Sequence, residues 1–216
     1  DTAEMYPVMP RAETQGRTEQ YLGTWLKKSG RRSDIVLATK IAGPSRGMGW
    51  IRHVENDLNA VNIRAAVESS LQRLQTDWID LYQQHDYDPL TPIEETLRAL
   101  DDLVRQGKVR YIGNSNFPAW RIAEAEYVAR QMNVNKFVSC QDEYSLVVRD
   151  VVEPQLAAAM THYGLGLLPF FPLASGLLTG KYRRGDAAPE GGRIAAWGMN
   201  HLLSDANFDA VEAIED

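Results

Sequence analysis

The chain has 216 residues, of which 44% are hydrophobic and 24% charged, with a formal net charge of −6 at neutral pH. This composition is typical of a soluble globular protein with a sizeable core, and an acidic chain does not favour nucleic acid as a partner. It has no apolar run of the roughly 18 residues that a membrane span needs, so we expect no membrane partner, and its single cysteine, Cys140, fits a reducing, cytoplasmic compartment.

Five short apolar runs predict buried β-strands, and segments with helical periodicity lie between them. The strands are predicted at Ile35–Thr39, Trp78–Gln84, Val109–Gly113, Phe137–Gln141 and Leu165–Phe170. The helices are predicted at Asn62–Leu74, Ile93–Gln106, Pro118–Gln131 and Val152–His162, and another begins near Asn207. The last four strands start about 30 residues apart, as consecutive βα units of an eight-fold barrel do. The longer first interval contains the loop Gly43–Asn59, at a place where barrel enzymes carry active-site loops.

Two helix starts carry capping signatures. Thr91 precedes a proline and stands three residues before Glu94, which is the spacing of a capping box with proline at the first helical position. Asp150 stands three residues before Glu153 in the same way. The sequence therefore predicts side-chain caps at both starts.

Regular strand–helix alternation allows a closed (β/α)₈ barrel or an open doubly wound sheet. No G-x-G-x-x-G motif follows the first strand to mark an open dinucleotide-binding sheet. Polar residues follow strand after strand, and a barrel gathers the carboxyl ends of its strands on one rim. We therefore predict an α/β protein with a single (β/α)₈ TIM barrel domain over residues 1–216.

Four residues near predicted strand ends or in the opening segment indicate carbonyl chemistry. Lys40 and His85 follow two predicted strands, and Asp1 and Tyr6 are the first and last residues of the segment DTAEMY. Alone, a lysine at a strand end commonly reaches water, and a histidine there is as often structural as catalytic. Together, the tyrosine can donate a proton and the lysine can lower the pKa of that tyrosine. The carboxylate can keep the lysine charged, and the histidine can orient a substrate oxygen.

Polar and aromatic residues at the later strand ends leave two interpretations open. Ser115 and Asn116 either cap the next helix or bind a ligand. The amide of Gln141 suits backbone or a ligand amide equally, and Phe170 is either core or a stacking face for a flat ring. The loop at 176–181 lacks the glycine spacing of a Walker motif, but its glycines and lysine suit an anionic ligand. No residue cluster has metal-ligand spacing, so we expect no metal.

Taken in order, several segments resemble the aldo-keto reductase superfamily. They are DTAEMY at 1–6, ATK at 38–40, DLYQQH at 80–85, GKVRYIGNSN at 107–116, Gln141 and PLASGLLTGKY at 172–182. The last segment makes the chain most similar to the bacterial and potassium-channel β-subunit-like branch. By this resemblance the chain would contain roughly strands 3 to 7 of the barrel with their helices, and we expect it to be incomplete at its N-terminal and C-terminal ends.

The resemblance implies reduction of aldehydes and ketones with a nicotinamide cofactor, usually NADPH with NADH not excluded, and without metal. It makes Tyr6 the proton donor, Lys40 its partner, Asp1 the counter-ion of that lysine, and His85 the residue that orients the carbonyl. The residues implied for cofactor binding are Ser115, Asn116 and Gln141 for the carboxamide, Phe170 for the ring, and Pro172, Leu173, Ala174, Gly176, Leu178 and Lys181 for the pyrophosphate.

Two positions depart from the family pattern, because Asn114 and Phe171 stand where a small apolar residue and a serine are usual. Trp50 and Tyr87 are weaker candidates for contact with a small-molecule carbonyl substrate. The leading hypothesis is an NADPH-dependent carbonyl reductase, and the alternative is a cofactor-binding regulatory subunit with little turnover. The sequence determines neither the carbonyl compound nor the oligomeric state.

Overall fold

A computed structural model describes residues 1–44, 48–52, 57–186 and 188–215. Its sheet has five parallel strands that lie side by side in chain order. They are β1 (Ala38–Ile41), β2 (Ile79–Gln84), β3 (Val109–Ser115), β4 (Phe137–Gln141) and β5 (Gly166–Leu167). The predicted α/β class and strand–helix alternation are therefore confirmed. Within the predicted loop Gly43–Asn59, residues 45–47 and 53–56 lie outside the described residues.

Helices connect the strands and continue beyond the last one. They are α1 (Arg17–Ser29), α2 (Ala60–Leu74), α3 (Ile93–Arg105), α4 (Ala119–Met132), α5 (Leu156–Tyr163), α6 (Arg193–Ala196) and α7 (Asp205–Glu215). Short 3₁₀ helices lie at Arg32–Asp34, Ala174–Thr179 and Asn200–Leu202. Among the described residues, no helix is both long and apolar enough to cross a membrane.

Helix α1 was not predicted, because its buried face carries almost no apolar pattern. That face consists of Glu19, Gly23 and Leu26, whereas Tyr21 and Trp25 are exposed. Glu19 is held by the hydroxyl of Thr39 and by the guanidinium of Arg73. A helix that buries a paired carboxylate and a glycine gives no hydrophobic period to detect.

The first strand begins three residues later than predicted. The N–H of Leu37 donates to the carboxylate of Asp80, 2.9 Å away, so a side chain takes the place of a backbone partner there. The ladder starts at Ala38, which pairs with Leu81. As a result Lys40 lies within β1, paired with Gln83, instead of directly after the strand.

The fifth strand is shorter than predicted, since it spans only Gly166–Leu167 of the apolar run at 165–170. Pro169 has no N–H to donate, which limits a ladder at this point. Phe170 forms an isolated parallel bridge with Glu143 beyond the named strands.

Both predicted caps are wrong. Helix α3 has Pro92 at its N-cap without a side-chain cap, and the hydroxyl of Thr91 donates to Asp88 at 2.5 Å. Helix α5 begins only at Leu156, and the carboxylate of Glu153 binds Arg149 instead. In both cases a stronger charged partner takes the side chain that the capping pattern had assigned to the backbone.

The chain divides into two compact units, which are described separately. The first comprises residues 1–141 and 159–167, and holds the sheet with α1 to α4. The second comprises residues 142–158 and 168–216. Its apolar cluster is formed by Ala174, Leu177, Tyr182, Ile194, Leu202, Phe208 and Val211.

Candidate active site

The segment DTAEMY runs beside β1 in the first unit. The N–H of Thr2 donates to the carbonyl oxygen of Ala38 at 2.9 Å, and the N–H of Glu4 donates to that of Lys40 at 3.1 Å. These two backbone bonds lie two residues apart on each partner, as in a strand ladder. They bring Asp1 to the lysine although 39 positions separate the two in the sequence.

The ammonium of Lys40 is buried and held on two sides. Its Nζ donates to Oδ2 of Asp1 at 2.5 Å and to the carbonyl oxygen of Thr2 at 3.1 Å, and the side chain is 2% exposed. Burial lowers the pKa of Lys40 to about 8, because a charged amine loses hydration in the interior. The side chain therefore keeps its proton at neutral pH and loses it as the pH rises past this value.

The ring of Tyr6 lies between the lysine and the histidine. Its centroid is 5.1 Å from Nζ of Lys40 and 5.6 Å from the ring centroid of His85, with the two rings at 75°. We expected Lys40 to lower the pKa of Tyr6. Burial raises the pKa of this phenol instead, while the lysine spends two of its N–H groups on Asp1 and Thr2. The hydroxyl of Tyr6 is thus protonated at neutral pH, as a proton donor must be.

Three amide and hydroxyl side chains form a corner beside this set. Ser115 Oγ donates to the backbone carbonyl of Gln141 at 2.6 Å, and Asn116 Nδ2 lies 2.9 Å from the backbone oxygen of His85 and 3.0 Å from Ser115 Oγ. Helix α4 has Pro118 at its N-cap and no side-chain cap, so Ser115 and Asn116 are not its caps. Gln141 joins the corner to the charged pair, because its Nε2 donates to Oδ2 of Asp1 at 3.0 Å.

The corner has acceptors suited to a carboxamide. Within the described ranges, Oδ1 of Asn116 and Oε1 of Gln141 accept no hydrogen bond, whereas the nitrogens of both amides are engaged. A primary carboxamide offers two N–H donors. The residues present therefore fit the amide end of a nicotinamide.

The loop that follows Phe170 lies in the second unit and has an unusual backbone. Phe171, Ala174 and Ser175 have φ of 51°, 45° and 54°, and Gly176 has φ of 105°. The N–H groups of Ala174 and Gly176 donate to the carbonyl oxygens of Phe171 and Leu173, so these two amides close turns within the loop. Phe170 itself is half-buried and meets the Phe171 ring edge-on at 5.3 Å between centroids.

A pocket of about 450 Å³ opens on this loop. It is lined by Phe171, Pro172, Leu173, Ser175, Gly176, Thr179, Lys181, Gly191 and Arg193. The two cationic side chains, Lys181 and Arg193, fit the phosphates of a dinucleotide. Four predicted residues lie here, namely Pro172, Leu173, Gly176 and Lys181, whereas Ala174 is buried in the apolar cluster of the second unit and Leu178 packs against it.

Sequence reasoning missed Ser175, Thr179 and Arg193 in this pocket. The first two lie inside the PLASGLLTGKY segment, so this motif could have indicated them. Arg193 lies in a surface stretch without motif, and its guanidinium stacks 4.8 Å from the ring centroid of Trp197. Nothing in the local sequence distinguishes this arginine from other exposed arginines.

The two weaker substrate candidates lie in the first unit. Trp50 packs against the cluster of Ala42, Met48 and Ile51, and its buried indole N–H has no partner among the described residues. Tyr87 packs edge-on against Phe117 and Trp120, with centroids 6.1 and 6.3 Å away. Contact with substrate stays a prediction for both. Within the described part of the chain, no group of three His, Cys, Asp or Glu side chains could hold a metal ion.

Comparison with known proteins gives one family and several relatives. Residues 1–216 match the family described as "Aldo/keto reductase family". Protein tas of Escherichia coli is 41% identical over 210 residues, which is 89% of this chain and 60% of that protein. The uncharacterized oxidoreductase YrpG of Bacillus subtilis is 38% identical over 213 residues, covering 96% of this chain and 63% of that protein.

A plant relative extends the comparison to a different named role. A probable voltage-gated potassium channel subunit beta of Arabidopsis thaliana is 35% identical over 212 residues, which is 98% of this chain and 61% of that protein. The chain thus spans about three fifths of the length of the curated relatives it matches.

Proposed function

Because the chain belongs to the aldo/keto reductase family, we propose that the protein reduces an aldehyde or ketone to an alcohol by hydride transfer from a nicotinamide cofactor, with NADPH preferred. The observation that carries the proposal is the ion pair of the buried Lys40 with Asp1, beside the rings of Tyr6 and His85. We also propose that the parallel sheet is part of the predicted (β/α)₈ barrel, in agreement with its strand order.

In the proposed mechanism, Tyr6 protonates the carbonyl oxygen of the substrate. When bound, a reduced nicotinamide supplies the hydride that the carbonyl carbon accepts. The phenolate left on Tyr6 is stabilised by the ammonium of Lys40, which Asp1 holds in place. His85 lies against the Tyr6 ring and orients the carbonyl oxygen toward the hydroxyl, so that the proton is transferred along one direction.

Two sets of residues would hold the cofactor. Ser115, Asn116 and Gln141 would bind the carboxamide. The side-chain amide oxygens of Asn116 and Gln141 accept no hydrogen bond from the described residues and can therefore accept from its N–H groups. In the second unit, Lys181 and Arg193 would attract phosphate groups from the edge of the pocket. Phe170 remains the proposed stacking face for the nicotinamide ring.

A direct assay tests the proposal. Full-length protein mixed with NADPH and a panel of reactive aldehydes and ketones should oxidise the cofactor, which is followed by its near-ultraviolet absorbance, and should do so more slowly with NADH. Tight cofactor binding without turnover on any carbonyl would instead favour the regulatory alternative, which is supported by the channel-subunit name of one relative. A lack of both binding and turnover would contradict the proposal.

The reduction rate should depend on the charge of Lys40. Its pKa of about 8 means that it is protonated below this pH and neutral above it, whereas burial raises the pKa of Tyr6 and keeps that hydroxyl protonated. We expect the maximal rate to be flat near neutral pH and to fall about tenfold per pH unit well above the pKa of Lys40. A pH profile of kcat checks this, and Lys40→Met should be slow and lack this alkaline decline. A wild-type profile that stays flat to pH 10 would contradict the role of the lysine.

Substitution at Gly176 should weaken cofactor binding. An added Cβ would lie 2.7 Å from Cε and 2.8 Å from Nζ of Lys181, so Gly176→Ala must move the ammonium at the pocket. We expect about tenfold weaker NADPH binding, or about 1.4 kcal/mol. Gly185→Ala is the matched control, since this residue also has positive φ but its Cβ would meet nothing within 4 Å. Fluorescence titration gives both dissociation constants, and equal values would contradict the expectation.

A further inference from the structure

A buried ion pair inside the DTAEMY segment takes no direct part in the proposed chemistry. Glu4 is 1% exposed, and its carboxylate accepts from the guanidinium of Arg52 at 2.6 Å and from the backbone N–H of Ala42 at 2.6 Å. The side chain of Arg52 is 12% exposed. Burial raises the pKa of Glu4, and the arginine and the Ala42 N–H oppose that rise. Such a carboxylate is costly to bury, and these two partners favour its charged form.

The location of Glu4 ties Tyr6 to β1. The N–H of Glu4 donates to the carbonyl oxygen of Lys40, and its side chain accepts from the N–H of Ala42, so Glu4 is bound to the chain at Lys40 and directly after the end of β1. Its own carbonyl oxygen accepts from Nε2 of Gln15 at 2.8 Å. Tyr6 follows two residues later, with its N–H turned back to the carbonyl oxygen of Ala3 at 3.1 Å. A displacement of Glu4 would therefore move the tight turn that leads to Tyr6 and so shift the tyrosine ring.

Resting on the proposed function, we propose that Glu4 and Arg52 are positioning residues, which hold the Tyr6 ring at its place between Lys40 and His85. Proton transfer depends steeply on such placement, since a shift of about 1 Å can cost about a hundredfold in rate. Arg52 has a left-handed backbone with φ of 60°, a conformation that a non-glycine residue rarely adopts without support. A hydrophobic pair would fill the same space, but it would leave the N–H of Ala42 without the carboxylate acceptor that Glu4 provides.

The test reads the position of Tyr6 without any turnover. Full-length protein is labelled with 3-fluorotyrosine, and the fluorine resonance of Tyr6 is assigned by its loss in Tyr6→Phe. We expect Arg52→Met and Glu4→Gln to shift or broaden this resonance, because the ring leaves its contacts with Lys40 and His85. Arg52→Lys, which keeps the charge opposite Glu4, should restore most of the wild-type signal.

Arg32→Met is the matched control. Arg32 is as buried as Arg52, at 12% exposure, and pairs with Asp80 at 2.8 Å, but it makes no contact with the DTAEMY segment. Its loss should lower stability and leave the Tyr6 resonance in place. If Arg52→Met does not fold, Glu4→Asp replaces it, since this variant keeps the charge and shortens the side chain by one methylene. An unchanged Tyr6 resonance in the folded variants would overturn the proposal.

Kinetics provide the second readout. In the Arg52 and Glu4 variants we expect kcat to fall at least tenfold while the NADPH dissociation constant stays within twofold of wild type. A purely structural role would lower the melting temperature and leave kcat per folded molecule unchanged. If the wild-type protein reduces no carbonyl compound, the proposed function fails, and the fluorine spectra still decide whether Glu4 and Arg52 position Tyr6.

Discussion

Replacing Tyr6 by phenylalanine is expected to lower the rate of carbonyl reduction by about a thousandfold, within the range that a positioned general acid contributes. The change removes only the hydroxyl, whose proton is available at neutral pH because burial raises the pKa of this phenol. The ring and its contacts with Lys40 and His85 remain. The measurement is single-turnover oxidation of NADPH in the presence of saturating aldehyde.

The contribution of the hydroxyl to the rate has to be separated from any effect of the substitution on folding or on cofactor binding. The NADPH dissociation constant and the melting temperature of Tyr6→Phe should match those of the wild type. Tyr127→Phe is the control, because this tyrosine is 63% exposed on α4 and its hydroxyl accepts a hydrogen bond from Nε2 of Gln131 on the same helix. Undiminished turnover in Tyr6→Phe would exclude Tyr6 as the proton donor.

Gly23→Ala is expected to lower the free energy of unfolding by about 3 kcal/mol or more, the range of severe overpacking. Gly23 lies in α1 where this helix packs against α2. An added Cβ would overlap the carbonyl oxygen of Arg73 and lie 2.7 Å from the carbonyl carbon of Leu74. Both contacts are with backbone, so relief requires the two helices to move apart.

Urea denaturation of the full-length protein measures this loss, read from the midpoint at an unchanged slope. Thr24→Ala is the neighbouring control, since Thr24 is exposed and its hydroxyl bonds only the carbonyl oxygen of Gln20. That substitution should change the free energy of unfolding by less than about 0.5 kcal/mol. A Gly23→Ala variant as stable as Thr24→Ala would show that the two helices adjust at little cost.

The local pattern predicted the bounds of β4 and β2 most closely. β4 has the predicted bounds, and β2 starts one residue later than expected. α3 also starts at the predicted Ile93, because its apolar stripe is strong. Where side chains compete with the backbone, as Asp80 does at Leu37, the pattern gave the wrong strand start.

The candidate site was predictable in its residue types and less so in its electrostatics. The sequence placed Lys40 and His85 directly after two predicted strands. In the structure these strands pair in parallel, Lys40 lies within β1 and His85 follows β2. The pKa of Tyr6 was expected to fall and is instead raised, because burial disfavours the charged phenolate. The pKa of such a group depends on how deeply the group is buried. The burial of a single polar side chain leaves no periodic pattern in the sequence.

The sequence by itself determined the α/β class and the family, because hydrophobic periodicity and motifs are properties of short segments. The family resemblance already paired Asp1 with Lys40, whereas only the tertiary structure showed that Glu4 pairs with Arg52. The pairs Asp1–Lys40 and Glu4–Arg52 join residues 39 and 48 positions apart. Both pairs form where the DTAEMY segment lies along β1, which buries Lys40 and Glu4 and makes an opposite charge important to each of them.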